Sequence, residues 1–168
     1  MDNFRECLEK LIRPDDKERV WLFFLAFSRF EFALKRSGFA KGSADRVDAA
    51  WDRFASGHCH AFKPDSDQRL RSACDYFANS PPMKQVLKDS SIGFVGPNPL
   101  GSQPHLCWLT TMLRRVRNNL FHGGKFEPTA LNADPARDAK LIEHSLVILE
   151  ACVELDTGVQ QSFMEPNH

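Results

Sequence analysis

The sequence has no excess of charge of either sign, because 22 lysines and arginines are balanced by 22 aspartates and glutamates. A chain-wide basic field, the usual electrostatic footprint of a nucleic-acid-binding protein, is therefore absent. Any contact with nucleic acid has to come from a local cluster of basic residues. With 42% hydrophobic residues, the chain has enough apolar side chains to form a core. Its length predicts a single domain over residues 1–168, with a core over about 15–157.

Paired cysteines and long apolar runs are also lacking. The 5 cysteines are widely spaced and include no C-x-x-C pair, a pattern typical of reduced thiols rather than of a disulfide framework. The longest apolar run, Val20–Phe27, is too short to span a bilayer, which takes about 20 residues. The first residues contain no basic segment leading into an apolar run, so no secretion signal is predicted. We therefore expect a cytoplasmic protein that does not contact a membrane.

Motifs for phosphate loops and for metal sites are absent as well. The sequence has no glycine-rich phosphate loop and no Ser-His-Asp order typical of a hydrolase. His58, Cys59 and His60 are all of metal-binding types, but adjacent side chains point in different directions and no second pair follows at zinc-site spacing. We expect neither a metal nor a cofactor.

What the sequence does contain is helical periodicity along most of its length. Apolar residues recur at steps of three and four, which predicts helices over about 16–37, 44–56, 67–79, 104–121 and 135–157 and a short helix over 83–88. Ser43 and Ser66 are the expected caps of the second and third helices. Residues 89–103 are predicted to form a loop, with Ile92–Val95 as the only strand candidate, and residues after Gly158 are expected to fray. The predicted fold is all-α, an irregular bundle of about five helices.

The first predicted helix has apolar residues on two of its sides. One stripe consists of Val20, Phe23, Phe24, Phe27 and Leu34, and the other of Trp21, Leu25 and Phe32. A helix that is apolar on two sides is often shared between a core and a subunit interface. We therefore expect a two-fold homodimer that uses part of this helix.

Glu31 is the polar exception within the first stripe. It lies about 20° from Val20 on the helical wheel, among side chains that are expected to be buried. A buried carboxylate is costly unless it is paired or hydrogen-bonded. Arg117 lies at the edge of the inward stripe of the 104–121 helix and is the best-placed cation, so a contact between Glu31 and Arg117 is predicted.

The residues best suited to chemistry lie at the end of the 104–121 helix. The stretch Val116–Lys125 reads Val-Arg-Asn-Asn-Leu-Phe-His-Gly-Gly-Lys. Arg117 supplies a permanent cation that can hold a phosphate bidentately, and His122 can carry a proton near neutral pH. Because RNA brings its own nucleophile, the 2′-OH, this pair could cleave RNA without a metal. The two side chains are about 140° apart on an ideal helix, so they converge only if the helix unwinds near Gly123.

This stretch resembles the signature of HEPN domains (higher eukaryote and prokaryote nucleotide-binding domains). In that signature an arginine, a polar residue and three variable residues precede a histidine near the end of a late helix, as do Arg117, Asn118 and His122. An early long helix with an acidic residue is also typical of the family, and Glu31 takes that place. In one subgroup a tyrosine follows the histidine by two residues. Gly124 stands there in this chain, so silencing through modification of that tyrosine is not expected.

The resemblance implies an all-α domain that dimerises and acts as a metal-independent endoribonuclease in a toxin–antitoxin, abortive-infection or other defence system. It makes His122 the acid/base group, Arg117 the cation that holds the phosphate, and Asn118 the polar residue that orients them. Glu31 is a further, less secure member of the site. The local basic patch that would contact RNA consists of Arg114, Arg115 and Lys125.

Two other interpretations of the same residues stay open. The first is a catalytically inactive helical module that binds a partner protein or a nucleotide, whereas an antitoxin would be a partner of the ribonuclease. The second is a structural bundle without a site, in which Arg117 is held in a salt bridge and His122 favours the carboxyl end of the helix dipole. The interpretations differ in whether Arg117 and His122 converge on an open cleft.

Overall fold

Helices make up most of the structure, a computed structural model that describes residue 6 and residues 14–101, 105–121 and 135–166. Six helices lie in these ranges: α1 (Pro14–Arg36), α2 (Trp51–His58), α3 (Gln68–Asn79), α4 (His105–Phe121), α5 (Pro135–Glu154) and α6 (Thr157–Met164). Two small antiparallel sheets lie between them: β1 (Ala40–Ser43) with β2 (Arg46–Ala49), and β3 (Lys84–Lys88) with β4 (Ser91–Val95). The prediction of a mainly helical fold is confirmed. None of the described helices is long and apolar enough to cross a membrane.

The core lies where α1 packs against α5 and α6, with α3 on α5 and α2 on α4. Phe23 and Phe27 from the first stripe of α1 are buried in it, as the helical wheel predicts. On α4 the buried apolar positions follow the predicted steps of three and four: Leu106, Leu109, Leu113 and Val116. Each such side chain stabilises the fold by about 1.5–3 kcal/mol when fully buried. This packing fixes the relative positions of α1 and α4, on which the candidate site is built.

The predicted helix over 44–56 is wrong in its first half. Residues 40–49 form the β1–β2 hairpin, in which Ala40 pairs with Ala49 and Ser43 with Arg46, so Ser43 caps no helix. Gly42 makes this tight approach possible, because its φ is +149° and an added Cβ would lie 1.9 Å from the Arg46 carbonyl oxygen. Helix α2 starts only at Trp51 and continues past the expected stop at Gly57 to His58.

The predicted short helix over 83–88 is also wrong, because Lys84–Lys88 form strand β3. It pairs with β4, with Lys84 opposite Val95 and Lys88 opposite Ser91. Asp89 and Ser90 have φ of +48° and +64°, the left-handed geometry at both central positions that a two-residue hairpin turn requires. The strand candidate Ile92–Val95 is confirmed as part of β4, and the predicted loop starts later than expected.

Two helix boundaries also differ from the prediction. The cap of α3 is Asp67 rather than Ser66, since the Asp67 carboxylate accepts a hydrogen bond from Leu70 N at 3.0 Å. The fraying expected after Gly158 is wrong for residues 159–164, which belong to α6, and the cap of this helix is Asp156, which accepts from Val159 N at 2.9 Å. Helix α6 packs on α1, and Arg29 Nε donates to its Phe163 carbonyl at 2.9 Å.

Candidate functional site

Arg117 lies on the last turn of the described part of α4, on the side that faces α1. Val116, the residue before it, is buried and anchors this turn in the core, while the Arg117 side chain is about one-third exposed, at 33%. The guanidinium carbon lies 5.4 Å from the centroid of the Phe27 ring, over which it stacks. The side chain is therefore held against an aromatic wall of α1 and still reaches solvent.

Arg117 makes two polar contacts. Its Nη2 lies 3.8 Å from Glu31 Oε2, so the predicted contact between these residues is confirmed as an ion pair that is too long for a hydrogen bond. Its Nη1 donates to Asn118 Oδ1 at 3.0 Å. The guanidinium has five N–H donors, so these contacts leave donors for an anionic ligand. Arg117, Asn118 and Glu31 are thus brought together, as the sequence predicts.

Trp51 holds Glu31 in place from the opposite side. Its indole Nε1 donates to Glu31 Oε1 at 3.0 Å, while the Trp51 ring is buried between Phe27 and Phe30 at centroid distances of 5.1 and 5.0 Å. One carboxylate therefore bridges the indole of α2 and the guanidinium of α4. The sequence analysis missed Trp51 as a member of this cluster. The only signal was that a buried indole N–H needs an acceptor, and that rule does not name the acceptor.

A surface pocket of about 250 Å³ lies in front of the ion pair. Its described lining consists of Phe24, Phe27, Ser28, Glu31, Arg117 and Phe121. The Phe24 and Phe121 rings, 5.4 Å apart, form its outer wall. The pocket combines apolar ring faces, on which a base can stack, with a cation that can hold a phosphate.

The proposed proton carrier, His122, lies outside the described residues, as does Lys125 of the predicted basic patch. Phe121 is the last described residue of α4 and directly precedes His122 in the sequence, and it lines the pocket. Among the described residues, no histidine lines this pocket. The convergence of Arg117 and His122 therefore stays a prediction.

The chain matches no protein-family model, no curated protein sequence and no solved structure with significant similarity.

Arg114 and Arg115, the described members of the predicted basic patch, lie one turn earlier on α4. Arg114 Nη2 donates to Asp52 Oδ1 at 3.0 Å, which ties α4 to the start of α2 and neutralises part of its charge. Arg115 is half-buried, and this burial lowers the pKa of its guanidinium. Both residues line a second pocket, which Asn118 also lines. Asn118 thus lines the second pocket and, through the hydrogen bond that it accepts, contacts Arg117 of the first pocket.

The histidines whose pKa is shifted lie elsewhere. Burial lowers the pKa of His105, which packs edge-on against Phe62 at the start of α4. Twelve residues of helix separate it from Arg117, which corresponds to about 18 Å. Burial also lowers the pKa of His144, which stacks on Tyr76 at 4.6 Å. Neither lines the pocket in front of Arg117.

The His58-Cys59-His60 segment makes contacts within the fold. His58 Nε2 lies 3.3 Å from Asp156 Oδ2, and its Nδ1 lies 2.9 Å from the Phe54 carbonyl oxygen. The Cys59 thiol donates to the Ser56 carbonyl at 3.2 Å. Within the described ranges, no group of three or more His, Cys, Asp or Glu side chains could hold a metal ion.

Proposed function

We propose that this protein is a metal-independent endoribonuclease of the HEPN type that cleaves RNA through its 2′-OH. The observation that carries the proposal is the placement of Arg117, whose guanidinium is fixed by Glu31, Asn118 and the Phe27 ring at the edge of a pocket. Arg117 and Asn118 are also the first two residues of the Arg-Asn-x3-His signature, which no other part of the sequence contains.

In the proposed reaction each residue has a separate task. The 2′ oxygen attacks the phosphorus and the bond from phosphorus to the 5′ oxygen breaks. His122 takes the proton from the 2′-OH or supplies one to the leaving 5′ oxygen, and water makes the other proton transfer. Arg117 holds the non-bridging oxygens of the phosphate and stabilises the negative charge that grows on them. Asn118 and Glu31 keep the guanidinium in its orientation, and preorganised donors of this kind act without reorganisation during the reaction. The products are a 2′,3′-cyclic phosphate and a free 5′-OH.

A homodimer would bring two such pockets together. The second stripe of α1 lies on the surface, with Trp21, Leu25 and Phe32 exposed by 58, 43 and 39%. Trp21 stacks on Phe24 at 5.7 Å, so this stripe continues into the wall of the Arg117 pocket. Burial of this surface in a two-fold interface would remove it from water and place both pockets at one cleft.

The alternative is a catalytically inactive helical module whose α1 surface binds a partner protein. The same exposed stripe supports this alternative, and so does the ion pair that engages Arg117. Cleavage of RNA separates the two functions, because only the ribonuclease needs His122. A role in a toxin–antitoxin, abortive-infection or other defence system belongs to the ribonuclease proposal.

The test uses the purified protein and single-stranded RNA in the presence of EDTA. We expect cleavage, with products that carry a cyclic phosphate, and full resistance of a substrate with a single 2′-deoxy nucleotide at the cut position. Loss of cleavage on adding EDTA would contradict the metal-independent mechanism. Absence of cleavage of any RNA tested would favour the partner-binding module.

A further inference from the structure

The second pocket, between α4 and the β3–β4 hairpin, is larger than the one in front of Arg117. Its volume is about 530 Å³, and its lining includes Lys84 from β3 and Thr111, Arg114 and Arg115 from α4. No aspartate or glutamate is among its described lining residues. In a chain with no net charge, this pocket is a local concentration of positive charge.

The cations of this pocket differ in whether a carboxylate neutralises their charge. Arg114 has a carboxylate partner in Asp52 at 3.0 Å, whereas Lys84 and Arg115 form no ion pair with any residue that the structure describes. Arg115 Nη1 is buried and finds no hydrogen-bond acceptor within the described part of the chain. A charged donor without an acceptor is costly. An anion in the pocket would offset part of that cost through the attraction between opposite charges.

The β3–β4 hairpin is attached to α4 at the start of β3, next to Lys84. Asn119 Nδ2 donates to the Met83 carbonyl at 2.9 Å, and this bond joins the residue before β3 to α4. Lys84 itself is exposed, so its ammonium can approach a ligand while its backbone stays in the β3–β4 ladder. The pocket is thus assembled from two elements that are distant in sequence.

We propose that this pocket binds a phosphodiester of single-stranded RNA next to the nucleotide that is cleaved at Arg117. Asn118 lines the pocket and accepts the hydrogen bond from Arg117, so the two sites are adjacent on α4, and one strand could occupy both. The assignment of RNA rests on the proposed ribonuclease function, whereas the preference for a phosphate group rests on the charge of the pocket itself. Lys84, on the hairpin, is a binding residue that the motif does not include.

The experiment measures binding of a short single-stranded RNA whose 2′ hydroxyls are all methylated, so that it cannot be cleaved. Fluorescence anisotropy at several salt concentrations compares the wild type with Lys84→Gln, and with Lys88→Gln as the matched control. Lys88 is exposed on the same strand but does not line the pocket. We expect Lys84→Gln to weaken binding several-fold and to reduce the slope of log K against log salt by about 0.7, the loss of one phosphate contact. Lys88→Gln should bind as the wild type does.

Arg115→Gln should weaken binding further. Because Arg115 is half-buried, its replacement can also disturb the packing of α4, whereas Lys84 is exposed and its replacement leaves the core unchanged. The test therefore relies on Lys84→Gln. Equal affinities and slopes for Lys84→Gln, Lys88→Gln and the wild type would overturn the proposal. Binding of a nucleoside 5′-monophosphate without binding of the RNA would overturn the assignment to a strand.

The two proposals fail in different ways. RNA binding that depends on Lys84, without cleavage of unmodified RNA, would support the phosphate pocket and contradict the ribonuclease. Cleavage of unmodified RNA by Lys84→Gln with wild-type kcat/KM would contradict the pocket and leave the ribonuclease intact.

Discussion

Replacement of Glu31 can separate its contact with Arg117 from its contact with Trp51. Glu31→Gln removes the charge but keeps an oxygen that can accept from the indole N–H. The lost ion pair spans 3.8 Å between side chains that are 33% and 28% exposed. Pairs of such exposure contribute about 0.2–1 kcal/mol. We therefore expect Glu31→Gln to lower the free energy of unfolding by less than about 1 kcal/mol.

Glu31→Ala removes the acceptor as well. Trp51 is only 2% exposed, so its indole N–H is left without a partner, which costs about 1–3 kcal/mol in addition to the ion pair. Urea unfolding followed by tryptophan fluorescence gives both free energies of unfolding. If Glu31→Gln lowered the free energy of unfolding as much as Glu31→Ala does, the hydrogen bond from Trp51 to Glu31 would not be the larger of the two contributions.

The same two variants report on the site. Both should cleave RNA more slowly than the wild type, because Arg117 loses the group that orients it. Glu143→Gln is the matched control, since it removes an exposed ion pair with Arg19 at 2.9 Å, outside the described lining of either pocket. It should be as stable as Glu31→Gln and cleave as the wild type does. Wild-type cleavage by Glu31→Gln would remove Glu31 from the site.

Three further predictions concern assembly and the fold. Trp21→Glu places a charge on the exposed stripe of α1 and should convert the proposed dimer to a monomer in light scattering, whereas a monomeric wild type at micromolar concentration would contradict the dimer. Asp156→Ala removes the cap of α6 and should lower the free energy of unfolding by about 0.5–2 kcal/mol in urea, and an unchanged value would argue against the cap. Burial raises the pKa of Cys74 to about 12, so alkylation at neutral pH should label the half-buried Cys59 before Cys74. Equal labelling would contradict the buried position of Cys74.

The contact between Glu31 and Arg117 could be predicted from the sequence because it follows from a free-energy cost. A carboxylate within an apolar stripe requires a partner, and helical periodicity limits which cations can reach it. Trp51 could not be assigned in the same way. Its hydrogen bond to Glu31 depends on how α2 packs beside α1. Periodicity carries no information about which helices become neighbours.

The hairpins were mispredicted for a local reason. Lysine, glutamine and leucine in Lys84–Lys88 favour helices, whereas the turn at Asp89 and Ser90 has none of the glycines that usually mark such a turn. The intrinsic helix preference of these residue types is only about a few tenths of a kcal/mol per residue. Pairing with β4 outweighs it. The long periodic helices α1, α4 and α5 were predicted well, because apolar residues at steps of three and four over several turns identify a helix.

The most direct test of the account is the single-turnover rate of RNA cleavage by variants of the two motif residues. His122→Ala should reduce this rate by about two to four orders of magnitude, the usual scale of acid–base catalysis. Arg117→Ala should be comparably slow, and Arg117→Lys should recover only part of the rate, because an ammonium cannot form the bidentate contact. Arg71→Ala, which removes an exposed ion pair with Asp65, should cleave at the wild-type rate. Cleavage by His122→Ala at the wild-type rate would contradict the proposed mechanism.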